Sequence, residues 1–337
     1  MMVRPPTLAD IAREAGTSAS TASRALSGRG YVSSDARARL LDVAERLGYV
    51  PNASARTLKQ RTSRVVGVVV SDLGNQFYAA LAAGIEQTLR EAHYQMVLVG
   101  DNSQSAEEVA GARTFAAMRA PGVIMTPVGH DAAGLLAAQG VAVVEVDRRV
   151  ARVPCDAVVL DNEGGARDAT AHLLALGHRR IGLLMAKTNW SSDAGRLAGY
   201  LSAHEDAQVP VDEKLIVEIE FQAADAGARI ATLLAEAAPT ALFAGNNVLA
   251  ELAWHAIRKR GLSIPGDISL VAFDDMAWMG MVQPGITAVA QPTFAMGCRA
   301  ALLLLRRLEA PLSEQTVEVL EPTLVLRGST AEPVAIS

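Results

Sequence analysis

The sequence predicts an α/β protein in which a small all-α head (residues 1–63) precedes a larger body (residues 64 onward) of doubly wound parallel sheets. Apolar side chains in residues 7–47 recur at helical spacing, whereas beyond Arg64 short apolar runs of strand length alternate with Ala-rich helical segments. The length of 337 residues is more than one small core needs and suits two such sheets behind a head.

The composition places the chain among ordinary globular proteins, since half of its residues are hydrophobic and a fifth are charged. No apolar run reaches about eighteen residues and residues 1–13 lack a secretory signal, so we expect no membrane segment and a cytoplasmic location. Cys155 and Cys298 lie far apart and the histidines show no metal-ligand spacing. We therefore expect no disulfide, no metal and no cofactor.

Charge is distributed unevenly along the chain. Residues 1–64 hold eleven Lys and Arg against five acids, a net charge of +6, whereas the remaining residues carry a net charge of −11. A basic head on an acidic body indicates that the head alone meets a polyanion. A basic surface without a partner is the alternative.

The first helix of the head is predicted to begin after Thr7, which can act as its N-cap with Asp10 completing a capping box. Gly16 can adopt the left-handed conformation that ends this helix, and Ser18 can cap the next one. The predicted buried stripe of the first helix consists of Leu8, Ile11, Ala12 and Ala15.

A second helix, from Ser18 to Leu26, buries Ala22 and Leu26 and exposes a polar face. A third, from Ser34 to Leu47, closes a three-helix core with Ala36, Leu40, Val43, Ala44 and Leu47. Two short helices joined by a Gly-containing turn form a helix-turn-helix. The hydroxyls of the second helix can bond base edges or phosphates, and Arg24 can pair with a guanine. A surface helix of any small bundle would show the same pattern.

The body is predicted from its alternating runs. The predicted strands are Val65–Val70, Met96–Val99, Val123–Thr126, Val141–Val146, Ala157–Leu160, Ile181–Met185, Ala241–Ala244 and Ser269–Phe273. The named helices are Tyr78–Ala92, Ala106–Met118, Ala166–Leu176, Ala223–Ala237, Val248–Arg260 and Phe294–Leu308. No phosphate-binding Gly-rich loop interrupts these units, because residues 72–75 are neither GxGxxG nor a P-loop.

Polar and aromatic side chains follow four of the predicted strands at the ends where ligands of open α/β sheets bind. They are Asn75, Phe77 and Tyr78; Asp147 and Arg148; Asn246 and Asn247; and Asp274 and Asp275. Carboxylates and amides suit hydroxyl groups, and aromatic faces suit C–H surfaces, so this edge predicts a site for a polyhydroxylated compound.

The head resembles the DNA-binding domain of the LacI/GalR family of bacterial transcriptional regulators, and the resemblance continues through nearly the whole chain. It is carried by Thr7-Leu8-Ala9-Asp10-Ile11-Ala12, Ala15-Gly16-Thr17-Ser18, Thr21-Ala22-Ser23-Arg24-Ala25-Leu26-Ser27, Leu47-Gly48-Tyr49-Val50-Pro51-Asn52 and Ala55-Arg56-Thr57-Leu58. Ala22 stands where the family usually has Val, and Ser27 where it has Asn.

The resemblance implies that Ala19, Ser20 and Arg24 read operator bases, and that Pro51 to about Arg61 forms a hinge helix that folds on DNA, with Leu58 wedged into the minor groove. Ala19 offers only an apolar contact. The full set of implied DNA contacts is Thr7, Ser18, Ala19, Ser20, Thr21, Ser23, Arg24, Ser27, Asn52, Ala55 and Leu58.

For the body, the resemblance implies the periplasmic-binding-protein fold, two subdomains around an effector cleft. It divides the chain into a helix-turn-helix domain (1–50), a hinge (51–63) and an effector-binding and dimerisation domain (64–330). The last splits into residues 64–162 plus 292–322 and residues 163–291 plus 323–330. The implied effector contacts are Asn75, Phe77, Tyr78, Asp147, Trp190, Arg196, Phe221, Asn246 and Asp274.

The function implied by the resemblance is that of a repressor, which binds a near-palindromic operator in duplex DNA as a homodimer and is released or tightened by a sugar-like effector. An enzyme is the first alternative, but adjacent Asp274 and Asp275 diverge and no Gly-x-Ser-x-Gly elbow is present. A periplasmic solute-binding protein would explain the body but not the basic head. Salt-dependent DNA retardation discriminates among the three.

Overall fold

The computed structural model describes residues 4–27, 30–49, 63–150, 152–220 and 223–334. The chain divides into two compact units, Met1–Ser63 and Arg64–Ser337, which are the head and the body. Each has its own hydrophobic core, as expected when apolar side chains recur at helical spacing in one segment and in strand-length runs in the other.

The head consists of three helices, α1 (Leu8–Glu14), α2 (Ala19–Ser27) and α3 (Ser34–Arg46). The predicted capping box is present at α1, where Thr7 accepts from the backbone of Asp10 and the Asp10 carboxylate accepts from the backbone of Thr7. Gly16 adopts a φ of 65° between α1 and α2, as its position predicted. The core contains Ile11, Ala12, Ala22, Ala25, Leu40, Val43 and Ala44.

Part of the predicted head core is less enclosed than expected. Leu8, Ala15, Leu26, Ala36 and Leu47 are half-buried, and on α2 the fully enclosed position belongs to Ala25 in place of Leu26. Ala25 follows Ala22 by three residues, so both lie on the same helix face. The small Ala22 and Ala25 side chains let α2 lie close against its neighbours.

Six parallel strands form the first sheet of the body, in the order β11-β5-β4-β3-β1-β2. Their bounds are Val65–Val70 (β1), Gln95–Gly100 (β2), Gly122–Met125 (β3), Ala142–Asp147 (β4), Asp156–Leu160 (β5) and Val317–Leu320 (β11). Its helices are α4 (Gln76–Glu91), α5 (Ser105–Ala117), α6 (Asp131–Ala138) and α11 (Thr293–Glu309). We call this sheet with its helices the first lobe.

The second sheet has the order β12-β10-β9-β8-β6-β7, and its strands are parallel except β12, which is antiparallel to β10. The strands are Ile181–Ala186 (β6), Ile216–Ile219 (β7), Ala241–Ala244 (β8), Ser269–Phe273 (β9), Thr287–Ala290 (β10) and Thr323–Val325 (β12). The helices are α7 (Asn162–Ala175), α8 (Ser191–Asp206), α9 (Ala226–Glu236) and α10 (Asn247–Lys259). This sheet with its helices is the second lobe.

Helices cover both faces of each sheet, which is why the strands read as continuous apolar runs rather than alternating ones. In β1, for example, Val68 belongs to the core beneath α4 and α11, while its neighbour Val69 belongs to the core beneath α5 and α6. In the second lobe, α9 and α10 cover a separate core on the outer face.

The chain passes between the lobes three times, after β5, after β10 and between β11 and β12. Each crossing is only a few residues long and lies at the sheet edge where the strands end. The carboxyl ends of strands from both sheets therefore line the space between the lobes.

The structure confirms the α/β class and the all-α head. It adds elements that the sequence analysis did not name: the strands β7, β10, β11 and β12 and the helices α6 and α8. The structure also confirms the predicted parallel sheets, with one exception at β12, which is antiparallel to β10. That strand has three residues and lies at a sheet edge, so its pairing depends on the crossing from β11 rather than on its own apolar pattern.

Candidate functional site

The polar face predicted for α2 is present on the surface of the head. Ser18, Ala19, Ser20, Arg24 and Ser27 are exposed, whereas the remaining described candidates (Thr7, Thr21 and Ser23) are half-buried. Thr7 is engaged in its capping box, with its hydroxyl 2.6 Å from the Asp10 carboxylate. Asn52, Ala55 and Leu58, the candidates of the predicted hinge, lie outside the described residues.

Three hydroxyls cluster where α2 begins. Ser18 Oγ lies 2.8 Å from Ser20 Oγ and 2.9 Å from Thr21 Oγ1, and it accepts a hydrogen bond from the Thr21 backbone N–H. A helix N-terminus surrounded by hydroxyl donors suits a phosphate oxygen, because both the free N–H groups and the helix dipole favour negative charge.

Arg24 lies one turn further along the same face. Its Nε donates to the carbonyl of Ser20 at 3.3 Å, while the guanidinium stays exposed with donors to spare. Such a side chain can swing out to a guanine without breaking a strong internal bond. Tyr31, just before α3, is 90% exposed and was not among the predicted contacts. A lone aromatic in a loop gave no periodic signal by which to find it.

The second candidate site is a cavity of about 70 Å³ between the two lobes. Every described effector candidate lines it: Asn75, Phe77, Tyr78, Asp147, Trp190, Arg196, Asn246 and Asp274. Phe221 lies outside the described residues. The lining also includes Arg148 and Asn247, which the sequence analysis placed at the strand ends but not among the effector contacts. The remaining lining residues, which it had not selected, are Asp72, Ser103, Ala186, Ser192, Asp193, Val248 and Gln291.

Two carboxylates enter the cavity from strained backbone. Asp147 ends β4 with a φ of 75°, and Asp274 follows β9 with a φ of 69°. Left-handed conformations are rare for residues other than glycine and cost about 1–3 kcal/mol, so they persist where the surroundings require them. Because the two residues occupy equivalent places in the two lobes, the strain directs both carboxylates into the same space.

Arg148 is enclosed although it carries a full charge, with a side chain only 2% exposed. It stacks on the Trp190 ring of the other lobe, 3.6 Å from the ring centroid. Its guanidinium donates to the carbonyls of Pro127 and Thr126, the hydroxyls of Ser71 and Tyr78, and the Asp147 carboxylate at 3.1 Å. These partners fix Arg148 as part of the wall.

Arg196, from α8, is buried with only part of its hydrogen-bonding capacity used. It donates to Asn162 Oδ1 at 2.9 Å and to the carbonyl of Gly245 at 2.7 Å, and it stacks on Phe273 at 3.9 Å. Among the described residues, nothing accepts from its Nη2. That nitrogen can serve a ligand.

The helix N-termini that border the cavity already have anionic or amide partners. Asn246 caps α10 by accepting from Leu249, and Asp274 accepts from the Asn247 N–H at 3.1 Å and from the Gln291 amide. In the first turn of α8, Asp193 accepts from the Thr188 hydroxyl.

Burial raises the pKa of Asp147, and the carboxylates of Asp274 and Asp193 raise it further, while the guanidinium groups of Arg148 and Arg196 lower it. Asp147 is therefore close enough to both other carboxylates to be repelled by them. A buried titratable group with a shifted pKa in a cleft is typical of a functional site.

Side chains from both lobes meet across the cavity. Asn75 and Asn247 exchange amide hydrogen bonds of 2.7 and 3.3 Å, and the backbone N–H of Arg149 donates to Ser191 Oγ at 3.0 Å. Together with the Arg148–Trp190 stack, these contacts hold the lobes closed. Trp190 was predicted to contact the effector, and in the structure Arg148 covers one of its faces.

The described residues contain no group of three His, Cys, Asp or Glu side chains that could hold a metal ion. None of the described helices is both long and apolar enough to cross a membrane.

Comparisons with known proteins match both units of the chain. The family model described as "Bacterial regulatory proteins, lacI family" matches residues 7–52, and the model described as "Periplasmic binding protein-like domain" matches residues 170–330. The HTH-type transcriptional regulator DegA of Bacillus subtilis (strain 168) is 31% identical over 330 residues, which cover 96% of this chain and 98% of DegA.

Solved structures give the same result. The lac repressor dimer bound to operator and the anti-inducer ONPF is 27% identical with a TM-score of 0.84, covering 97% of this chain and 100% of that one. The complex of the transcriptional regulator CelR with cellobiose is 30% identical with a TM-score of 0.73, covering 96% of this chain and 99% of that one.

A helix-turn-helix head followed by a two-lobed body with a polar cleft defines a DNA-binding transcriptional regulator with a ligand-binding domain. The chain belongs to the lacI family of bacterial regulatory proteins.

Proposed function

We propose that this protein is a repressor that binds a near-palindromic operator as a homodimer, and that a sugar or sugar derivative in the cleft releases or tightens it. The observation that carries the proposal is the cavity between the lobes, which is lined by carboxylates, amides, two arginines and aromatic rings from both of them. A ligand bound there contacts both lobes at once, so it acts on their relative orientation.

The DNA-binding half of the proposal rests on α2. Its exposed face carries three hydroxyls at the helix N-terminus and Arg24 one turn on, which is the chemistry needed for phosphates and a guanine edge. The positive charge of residues 1–64 attracts duplex DNA, whereas the negative charge of the rest of the chain repels it.

The effector half rests on unused hydrogen-bonding capacity. Arg196 retains free donors, and Gln291 Oε1 and Ser103 Oγ are buried with no partner among the described residues. Such groups are costly to leave unsatisfied, and the hydroxyls of a sugar can both donate and accept. Phe77 and Tyr78 offer aromatic surface beside them.

The switch follows from the contacts across the cleft. A ligand shifts an equilibrium only by its differential affinity for the two states, so the effector must favour either the closed arrangement, with Asn75 paired to Asn247, or an opened one. Movement of the lobes then changes the spacing of the two heads in the dimer. Both induction and co-repression are compatible with this scheme.

Three further features complete the proposal. The protein acts in the cytoplasm and has no catalytic activity, since its relatives are transcriptional regulators. The functional division is a DNA-binding domain of residues 1–50, a hinge of residues 51–63 and an effector-binding domain of residues 64–330. Asn52, Ala55 and Leu58 contact DNA from that hinge.

The test begins with selection of tight-binding sequences from random duplex DNA by the full-length protein, followed by footprinting. We expect an inverted repeat with half-sites about ten base pairs apart and an affinity that falls steeply with salt. Duplexes with one scrambled half-site are the control, and they should bind much more weakly. Selection of no inverted repeat by folded protein would contradict the proposal, as would operator binding that no sugar or sugar derivative alters.

A further inference from the structure

Acidic side chains outnumber basic ones around the cavity. Its wall includes four aspartates (Asp72, Asp147, Asp193 and Asp274) and two arginines (Arg148 and Arg196). Three of the aspartates are buried, so water screens their charges poorly. The cavity therefore has a negative character that a ligand must match.

The positive charge of Arg148 is not available to a ligand. All of its guanidinium nitrogens donate within the first lobe, and its flat face lies against Trp190. Its ion pair with Asp147, at 3.1 Å, takes up that charge, so Asp72, Asp193 and Asp274 line the cavity with Arg196 as the remaining cation of the described wall. Arg196 is thus the one cation in the described wall with donors directed at the cavity.

The helix N-termini give an anion no place either. A phosphate or carboxylate would ordinarily find free N–H groups there, but Asp274 already accepts from the first N–H of α10. In α8, Asp193 lies in the first turn, and its negative charge offsets the partial positive charge of the helix N-terminus that would attract an anion.

The cavity wall contains hydrogen-bond acceptors that a ligand can satisfy only by donating to them. Gln291 Oε1 can only accept, and it is buried without a partner in the described part of the chain. Asp147 receives one side-chain hydrogen bond among the described residues, from Arg148, which leaves its other oxygen free. Hydroxyl and ammonium groups satisfy such acceptors, whereas a second carboxylate or a phosphate does not.

We propose that the cleft selects its effector by charge, accepting a neutral or cationic polyhydroxylated compound and rejecting sugar acids and sugar phosphates. This inference rests on the proposed function, because it specifies the ligand of the same cleft. An anion would add a like charge within a buried group of carboxylates, with Arg196 as its sole free counter-ion in the described wall. Like charges brought together at a desolvated site are strongly repelled.

The experiment uses full-length protein and matched ligands on three frames, glucose, galactose and mannose. For each frame, the neutral sugar, the 2-amino sugar, the uronate and the 6-phosphate are titrated by calorimetry and by thermal shift at millimolar concentration. We expect at least one neutral or amino sugar to bind, and the uronate and phosphate of that frame to bind about 100-fold more weakly. An anion that binds as tightly as its neutral parent overturns the inference, and so does a panel in which no neutral or amino sugar binds.

Two variants test whether the carboxylates cause the selection. Asp147→Asn removes one buried charge, and we expect the preference for the neutral sugar over its uronate to shrink about tenfold. Asp275→Asn is the matched control, because its carboxylate is bound by Arg327 and does not line the cavity. If Asp147→Asn does not fold, Asp193→Asn replaces it. An unchanged preference in the folded variant overturns the inference.

Failure of this inference is distinguishable from failure of the proposed function. Operator retardation is measured in the same preparation with and without each ligand. A uronate or phosphate that alters operator binding overturns charge selection while leaving the proposed repressor intact. If the folded protein selects no operator, the proposed repressor function is contradicted, irrespective of which ligands bind in the calorimetric titrations.

Discussion

Two arginines, one in each unit, serve opposite purposes. Arg24 on α2 is exposed and makes only two long bonds, to the Ser20 carbonyl at 3.3 Å and to Thr21 Oγ1 at 3.5 Å, so its guanidinium can exchange them for a partner. Arg148 after β4 is enclosed, with donors bound to five groups and a face stacked on Trp190. In the head, the guanidinium of Arg24 is therefore available to a binding partner. In the cleft, the guanidinium of Arg148 instead holds the surrounding side chains in place.

The difference shows how each site recognises its partner. The head meets a polyanion that brings its own strong field, so mobile surface side chains suffice and salt weakens the contact. The cleft meets a small molecule, and an unfixed wall would lose affinity through the ordering of side chains. Because Arg148 and Arg196 already have fixed partners in the folded protein, their side chains lose their conformational entropy when the protein folds and not when the ligand binds.

The largest expected effect is on stability. Arg148→Ala leaves the buried Asp147 carboxylate without its partner, so we expect the free energy of unfolding to fall by about 3–5 kcal/mol in urea titrations. Arg167→Ala, which removes an exposed arginine from α7, is the control and should change it by less than about 0.5 kcal/mol. Equal effects of the two substitutions would remove the contrast between buried and exposed arginines in this protein.

The corresponding substitution in the head should change DNA affinity and leave the free energy of unfolding unchanged. Arg24→Ala should weaken operator binding by about 1–3 kcal/mol and relax the preference at one base pair, with unfolding in urea unchanged. Arg39→Ala, on the exposed surface of α3, should weaken all sequences alike or not at all. If Arg24→Ala also lowers affinity uniformly across base-pair variants, Arg24 contacts phosphate and reads no base.

The head and the body each contain an aspartate with a shifted pKa, and the two shifts have opposite directions, so pH should affect the stability of the two units differently. Hydrogen bonds from Thr7 hold the pKa of Asp10 below its ordinary range, so its support for the head is lost as pH falls through that lowered pKa. Burial, together with the nearby Glu108, raises the pKa of Asp101 from 3.8 to about 7. The folded body then holds a proton that the unfolded chain lacks, and stability from Asp101 falls as pH rises from about 4 to 7.

Asp101→Asn should therefore increase the free energy of unfolding at pH 8 by about 2 kcal/mol and flatten its pH dependence between about pH 4 and 7. The amide keeps the oxygen that accepts from the Ser103 N–H at 2.8 Å, so the loop geometry is preserved. Urea titrations at several pH values measure the effect. Destabilisation at pH 8 would mean that the charged form of Asp101 is favoured in the folded protein.

Much of the head was predictable because its determinants are local. The capping box joins Thr7 to a residue three positions away, and the left-handed turn needs only Gly16. The burial of Ala25 in place of Leu26 was not predictable, since it depends on how closely α3 approaches.

The cleft was predictable in part. Asn75, Asp147, Asn246 and Asp274 could be found because they follow apolar strands, and parallel strands bring such ends to one edge. Asn247 was placed at the same strand end but not among the effector contacts, and Gln291 was missed. Asn247 meets a partner 172 residues away in sequence, and Gln291 lies on a crossing between lobes. No local pattern encodes contacts over such separations.

The sequence by itself determined the class of fold, the helix-turn-helix and the strand ends that carry polar groups, because capping, helical spacing and apolar runs act over a few residues. Only the tertiary structure decided that Arg148 is enclosed against Trp190, that β12 runs antiparallel, and that Asp147, Asp193 and Asp274 share one cavity. These features require two lobes to be brought together, and the free energy of that arrangement depends on desolvation and packing that no single segment contains.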